Sequence, residues 1–358
     1  MVDFQEVIKL LQSLIATQSF SKEEDKTADL IESFLKNQGI STHRQNNNVW
    51  AKNRFYTEGL PTILLNSHHD TVKPVKAWTR DPFSADIVDG KLYGLGSNDA
   101  GGALVSMIAT FCFFYEKKLP YNLLVAATAE EEISGANGVA SILPDLGKID
   151  VGIVGEPTLM QMAVAEKGLM VIDGCAHGRA GHAAREEGIN AIYIAMADIA
   201  KIKAFDFEKK SDMLGKVKVS VTQIESGTQH NVVPDVCKFV IDVRSNECYS
   251  NQEIYDILQK NAQSDLKPRS FRLNSSKISL NHPLILRGAA LGLSQYGSPT
   301  LSDQALMPFE TFKIGPGDSA RSHTADEFIY LKEMEEGIET FKRLLEKLTW
   351  VIERNGTS

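Results

Sequence analysis

Four apolar runs in this chain each stop at a polar cluster. Ile63-Leu64-Leu65 ends in Ser67-His68-His69-Asp70, and Leu123 to Ala127 ends in Glu130-Glu131-Glu132. Val151 to Val154 ends in Gly155-Glu156-Pro157, and Phe312-Lys313-Ile314 ends in Gly315-Pro316-Gly317 and then His323. A fifth cluster, Gly96-Ser97-Asn98-Asp99, opens an apolar helix. Short apolar runs of this kind read as buried parallel strands. In open α/β sheets, ligands bind beyond the carboxyl ends of such strands. Residues far apart in sequence are therefore expected to meet along one sheet edge.

The 358 residues carry 38 Lys and Arg against 46 Asp and Glu, a net charge of -8. That balance disfavours nucleic acid and anionic membranes as partners, because both demand basic patches. No apolar stretch reaches the ~18 residues that span a bilayer. Ala103 to Tyr115 reads as a core helix instead. The N-terminus shows no basic segment followed by a cleavage site. The four cysteines (Cys112, Cys175, Cys237, Cys248) are widely spaced and fit free thiols in a reducing compartment. A cytoplasmic protein is expected.

Residues 4–16 repeat apolar positions at helical spacing. Ser21-Lys22-Glu23-Glu24 resembles a capping box for a second helix running to about Asn37. Strands and helices then alternate to about Glu166, which predicts a mixed, mostly parallel sheet with helices on both faces. Beyond Gly168 the order becomes β-α-β-β-α-β, that of a ferredoxin-like α+β domain. Its predicted elements are Leu169–Ala176, Asn190–Phe205, Lys216–Ile224, Cys237–Val243, Glu253–Ala262 and Arg269–Leu273. After about Pro283 the first pattern resumes and ends in a helix over Leu331–Arg354. The expectation is an α/β domain formed by residues 1–167 and 279–358, with residues 168–278 inserted into it as a smaller α+β domain.

The clusters supply His68, Asp99, Glu132, Glu156 and His323. Imidazole and carboxylate without thiolate suit zinc, with cobalt or manganese as substitutes. Two cations ~3.5–4 Å apart need a shared anionic ligand. Asp99, on a glycine-flanked turn, is the natural bridge. His68 and Glu156 would complete one metal, and Glu132 and His323 the other. Two divalent ions, three carboxylates and a bridging hydroxide sum to zero charge, which a partly buried site tolerates. Asp70, two residues after His68 in an extended segment, is expected to accept the free ring N–H of His68. Glu131 stands beside Glu132 and is expected to take a proton from the bridging water as general base. Metal-assisted amide hydrolysis follows.

These motifs, in this order, resemble the acetylornithine deacetylase, succinyl-diaminopimelate desuccinylase, aminoacylase and carboxypeptidase family of di-zinc peptidases. The segments carrying the resemblance are His68-His69-Asp70, Gly94 to Asp99, Glu130-Glu131-Glu132, Gly155-Glu156-Pro157, and Gly315-Pro316-Gly317 with His323 to Glu327. The resemblance implies two Zn2+, Glu131 as base and Asp99 as bridge. It implies that residues 168–278 are a lid and dimerisation domain, that His182, in Gly181-His182, helps form an oxyanion hole in the partner subunit's site, and hence a homodimer through that lid. It also implies that Asn231 and Arg244 bind substrate, Arg244 pairing a carboxylate. Asn98-Asp99-Ala100-Gly101 departs from the commoner family sequence after the bridge. The implied substrate is a small N-acylated amino acid, N-acetylornithine first. N-acetyl- or N-succinyl-citrulline, succinyl-diaminopimelate and di- or tripeptides are alternatives. A metal-binding scaffold without turnover is the reading from another class, opposed by the presence of Glu131.

Singly, each motif has a plainer meaning. A lone histidine is usually a satisfied one, and three adjacent glutamates are usually a solvated turn. His69 reads as packing, and His177, His230 and His282 carry no argued role. The Gly94–Asp99 segment lacks the last glycine of a dinucleotide fingerprint. No nucleophile elbow or His-Glu-x-x-His motif is present.

Overall fold

The computed structural model describes residues 2–185 and 187–348. They form two compact units. One contains the chain up to Val164, Ile278–Tyr296 and the chain from Ser302 on; the other contains Ala165–Lys277 with Gly297–Leu301.

The first unit opens with helix α1 (Phe4–Ile15), whose start is closed by a capping box of Asp3 and Glu6. Helix α2 spans Asp25–Asn37, with Glu24 before it. The expected capping by Ser21 does not occur. The Ser21 hydroxyl instead donates to Asp70 Oδ2 at 2.7 Å, because an ionised acceptor makes the stronger hydrogen bond.

Strands β1 (His43–Gln45), β2 (Asn48–Lys52) and β3 (Thr62–His68) follow, then helix α3 (Gly102–Tyr115) and strand β4 (Asn122–Thr128). Helix α4 (Val139–Leu146), strand β5 (Val151–Val154) and strand β6 (Met162–Glu166) come next. In the second unit lie β7 (Met170–His177), α5 (Ala191–Ala204), β8 (Lys218–Ser226), β9 (Val236–Arg244), α6 (Asn251–Asn261) and β10 (Asp265–Pro268). The chain then adds α7 (Pro283–Ala290), strand β11 (Glu310–Lys313) and α8 (Leu331–Leu345).

In the main sheet the strand order is β1-β2-β4-β3-β5-β11-β6. Its centre is parallel: β3 pairs with β4 and β5, and β11 with β5. β1, β2 and β6 join antiparallel. Every residue of β3 and β4 is buried, as expected where both faces are covered. The alternation of side chains sorts them into two cores. Ile63, Leu65, Leu123, Val125, Ile153 and Phe312 pack with residues of α1, α3 and α8. Leu64, Leu124, Ala126 and Val154 pack with Val139, Ile142 and Leu146 of α4. The parallel strands end together, with His68 opposite Thr128, so the loops after them converge. Helix α8 ends at Leu345; the rest of the expected helix, from residue 349, lies outside the described residues.

The second unit is a four-stranded antiparallel sheet in the order β8-β9-β7-β10. α5 and α6 contribute Ala191, Ala195, Ile202, Ile254 and Leu258 to its core. The last strand is Asp265–Pro268 rather than the expected 269–273. Only Leu266 faces the core there, opposite Gly174, and one apolar residue before a proline leaves no alternating signal. Among the described residues, no helix is long and apolar enough to cross a membrane.

Candidate metal centre

His68 is the last residue of β3, and its ring is aimed by its own strand end. Nδ1 lies 3.0 Å from the carbonyl oxygen of Asp70, which can only accept, so Nδ1 donates. The neutral ring then carries its lone pair on Nε2, which lies 3.4 Å from Asp99 Oδ1 and 3.9 Å from Glu131 Oε2. The expected ring contact with the Asp70 carboxylate is the longer one, 3.4 Å to Oδ1. That carboxylate has other work: it accepts the backbone N–H groups of Glu131 at 3.0 Å and Glu132 at 3.2 Å, besides the Ser21 hydroxyl. Asp70 thus fixes the imidazole through its carbonyl and the acidic turn through its side chain.

The acidic turn begins at Glu130, whose φ of 55° bends the chain sharply. Glu130 points away from Glu131: its carboxylate accepts from Asn137 N and Nδ2, and its N–H donates to Glu24. Glu132 reaches His323, with Oε2 3.1 Å and Oε1 3.3 Å from Nε2. Asp99 sits in a turn entered through Gly96, which has a φ of 76° and no room for a Cβ beside Thr71. The Asp99–Ala100 peptide is cis. Asp99 Oδ2 lies 3.6 Å from His323 Nε2, so its two oxygens face two different imidazoles. Ligand atoms of His68, Asp99 and Glu132 all lie within 4.8 Å of one another. Glu156, half-buried after β5, stands outside that group, though its charge acts on Glu131.

The acids dominate the local field. Burial, reinforced by Glu156, Asp303 and Glu132 and opposed by His68, holds the Glu131 carboxyl well above the usual range. Burial alone would lower the His68 pKa, but Glu131, Asp70 and Asp99 outweigh it and raise it well above 6.5. The hydrogen bond to Glu132 leads the causes that push His323 up to about 9. Imidazole nitrogens and carboxylate oxygens crowded together under a surplus of negative charge suit divalent cations. Asp99, with one oxygen toward each imidazole, has the disposition of a shared ligand. The residues fit a pair of metal ions.

Two buried acids at this site escape sequence reading. Asp303 Oδ2 accepts from Asn66 Nδ2 and Thr128 Oγ1, both at 2.8 Å, and ties the ends of β3 and β4 together. Burial pushes its carboxyl up to about 6. Glu327 accepts the N–H groups of Gly96, Asn98 and Asp99. Burial, and then the charge of Asp99, push it up to about 8. Asp303 lies in an irregular stretch with no periodic signal, whereas Glu327 stands in the His323–Glu327 motif without an evident task.

His182, Asn231 and Arg244 belong to the second unit. His182 is exposed in a short pairing of Gly181–His182 with Val232–Val233, its Nδ1 accepting from Ala184 N at 3.1 Å. Asn231 is exposed, and its carbonyl accepts from Ala183 N at 2.9 Å. The Arg244 fork, expected to meet a substrate carboxylate, is engaged bidentately by Asp242, with bonds of 2.9 and 3.1 Å. Those two side chains share a strand face two residues apart.

A family model described as peptidase family M20/M25/M40 matches residues 64–347. The chain belongs to that family. It is a metal-dependent hydrolase acting on amide bonds. The succinyl-diaminopimelate desuccinylase of Wolbachia pipientis subsp. Culex pipiens is 26% identical over 290 residues, covering 75% of this chain and 72% of that protein. The aminopeptidase PepT of Bacillus cereus shares the fold with a TM-score of 0.78 at 18% identity, over 97% of this chain and 99% of its own. A dinuclear metal binding peptidase of the family from Bacillus subtilis matches with a TM-score of 0.73 at 19% identity, over 96% and 97%.

Proposed function

We propose that the chain is a two-zinc amidohydrolase that removes the N-acyl group from a small amino acid. N-acetylornithine is the leading substrate and N-succinyl-diaminopimelate the second. The observation that carries the two-metal reading is Asp99, with Oδ1 3.4 Å from His68 and Oδ2 3.6 Å from His323. In this reading His68, Asp99 and Glu156 hold one ion, and Asp99, Glu132 and His323 the other. Cobalt or manganese would fit the same donors. When bound, such ions polarise an amide carbonyl and make water a nucleophile near neutral pH.

The chain's own residues supply the proton transfer. Glu131 sits among the donors, its backbone N–H held by the Asp70 carboxylate, where its side chain can accept and release a proton. It takes the proton of the attacking water and delivers it to the departing nitrogen. Two copies are proposed to pair through the free edge strand of the second unit, with His182 serving the partner's site. Asn231 and Arg244 complete substrate binding. Asp242 already neutralises Arg244, which favours an uncharged acyl group over a succinyl one. A hydrolysis panel of N-acetyl, N-succinyl and dipeptide substrates with added zinc tests the assignment. N-acetylornithine should lead, and a preference for dipeptides would overturn the deacylase reading.

A further inference from the structure

The turn that presents Asp99 is held from behind by a single buried side chain. Glu327 is 2% exposed. Its Oε1 accepts the N–H of Asn98 at 2.8 Å and of Asp99 at 2.9 Å, and its Oε2 accepts that of Gly96 at 3.3 Å. The backbone carbonyl of Glu327 accepts a fourth N–H, from Gly94, at 2.9 Å. Successive N–H groups converging on one acceptor group form a nest, and here that group is the Glu327 carboxyl of the chain itself. Gly94 and Gly96 allow the close wrap. At either position a Cβ would lie within 3 Å of a neighbouring side chain, of Ile15 or of Thr71.

Glu327 is also tied by sequence to the other side of the site, four residues after His323. The same five-residue segment fastens a second loop, because Asp326 accepts from Thr79 N, Thr79 Oγ1 and Arg80 N. One strap therefore sets the distance between His323 and the Asp99 turn. A side-chain group with two acceptor oxygens is required for this. A carboxamide would turn an NH2 group toward N–H donors and leave at least one of them buried without an acceptor.

We propose that Glu327 is a positioning residue of the metal centre, fixing the backbone of the Gly96–Asp99 turn so that the Asp99 side chain stands between His68 and His323. This rests on the reading of Asp99 as the shared ligand, and the test separates the two. Metal-free full-length protein is prepared as the native chain, E327Q and D99A. Zinc binding is measured by calorimetry, and amide hydrogen exchange is followed in the peptide covering 94–101. E327Q should bind zinc ten- to a hundred-fold more weakly, as expected for loss of a group that orients a ligand. Its 94–101 peptide should exchange faster even without metal. D99A should bind one zinc at most, weakly, while that peptide keeps its native protection.

Native zinc affinity in E327Q, with D99A impaired, overturns the role of Glu327 whatever its exchange rate. Native zinc binding in D99A overturns the reading of Asp99 instead. Should E327Q not fold, E327D withdraws the carboxylate by one methylene and takes the same two readouts. A smaller loss in both supports the role, and no change in zinc affinity overturns it.

Discussion

Asp70 holds Glu131 by its backbone: Oδ1 accepts the Glu131 N–H at 3.0 Å, while the Asp70 carbonyl accepts from the His68 ring at 3.0 Å. One residue therefore sets the position of a proposed metal ligand and of the proposed base. Asp70→Ala should weaken zinc binding and lower kcat/KM by about ten- to a hundred-fold each. Calorimetry and steady-state kinetics on the same preparation check this. A variant with native values for both would remove the Asp70 carboxylate, which holds the Glu131 and Glu132 N–H groups, from the site; the carbonyl that meets His68 persists in alanine.

Glu131→Gln keeps the shape of the side chain and removes its ability to take a proton. The expected loss in kcat is about 10²- to 10⁴-fold, with circular dichroism and bound metal unchanged. Metal analysis beside the kinetics distinguishes loss of the base from loss of the ions. Retention of more than a tenth of native kcat would show that another group carries the proton.

Ser21 reads in sequence as a helix cap and in the structure as a donor to Asp70. Ser21→Ala should destabilise the fold by about 1.5–3 kcal/mol, the range for a hydrogen bond to a charged group. Hydrogen exchange in the first turn of α2 should not change, since that turn has no side-chain cap to lose. Selective fraying of residues 25–28 would restore the capping interpretation.

The buried parallel strands were legible because four separate apolar runs end in polar clusters, whereas any one of them alone has a plainer meaning. His68 and Glu132 were legible from those ends, since His68 closes β3 and Glu132 follows β4 by four residues. What stayed hidden depends on contacts distant in sequence. Asp303 meets Asn66 across 237 positions and Thr128 across 175, and Glu327 meets Asp99 across 228. The pairing of Arg244 with Asp242, two residues earlier on the same strand face, was equally hidden, because residue type and place do not show which acid a guanidinium meets.

His69 gives the pH prediction. Its Nε2 donates to the Asn47 carbonyl at 2.8 Å, and Thr27 Oγ1 lies 2.9 Å from Nδ1. Burial pushes its pKa from 6.5 down to about 4. Below pH 6.5 the unfolded chain takes up a proton that the folded ring refuses, so this residue's contribution to stability falls as pH drops from 6.5 toward 4. At pH 5 the loss is about 2 kcal/mol. Denaturant melts of the native chain and His69→Gln at pH 7.5 and pH 5 should show the native chain losing more stability on acidification than the variant. An equal loss in both would mean that His69 titrates normally.

The central claim is that dispersed acids and imidazoles hold two cations with Asp99 between them. Zinc titration calorimetry of the metal-free chain and of folded Asp99→Ala measures this directly. The native chain should bind two equivalents, and the variant one at most, weakly. A native chain that takes up no zinc, or an Asp99→Ala variant that binds two ions as tightly as the native chain, would contradict the account.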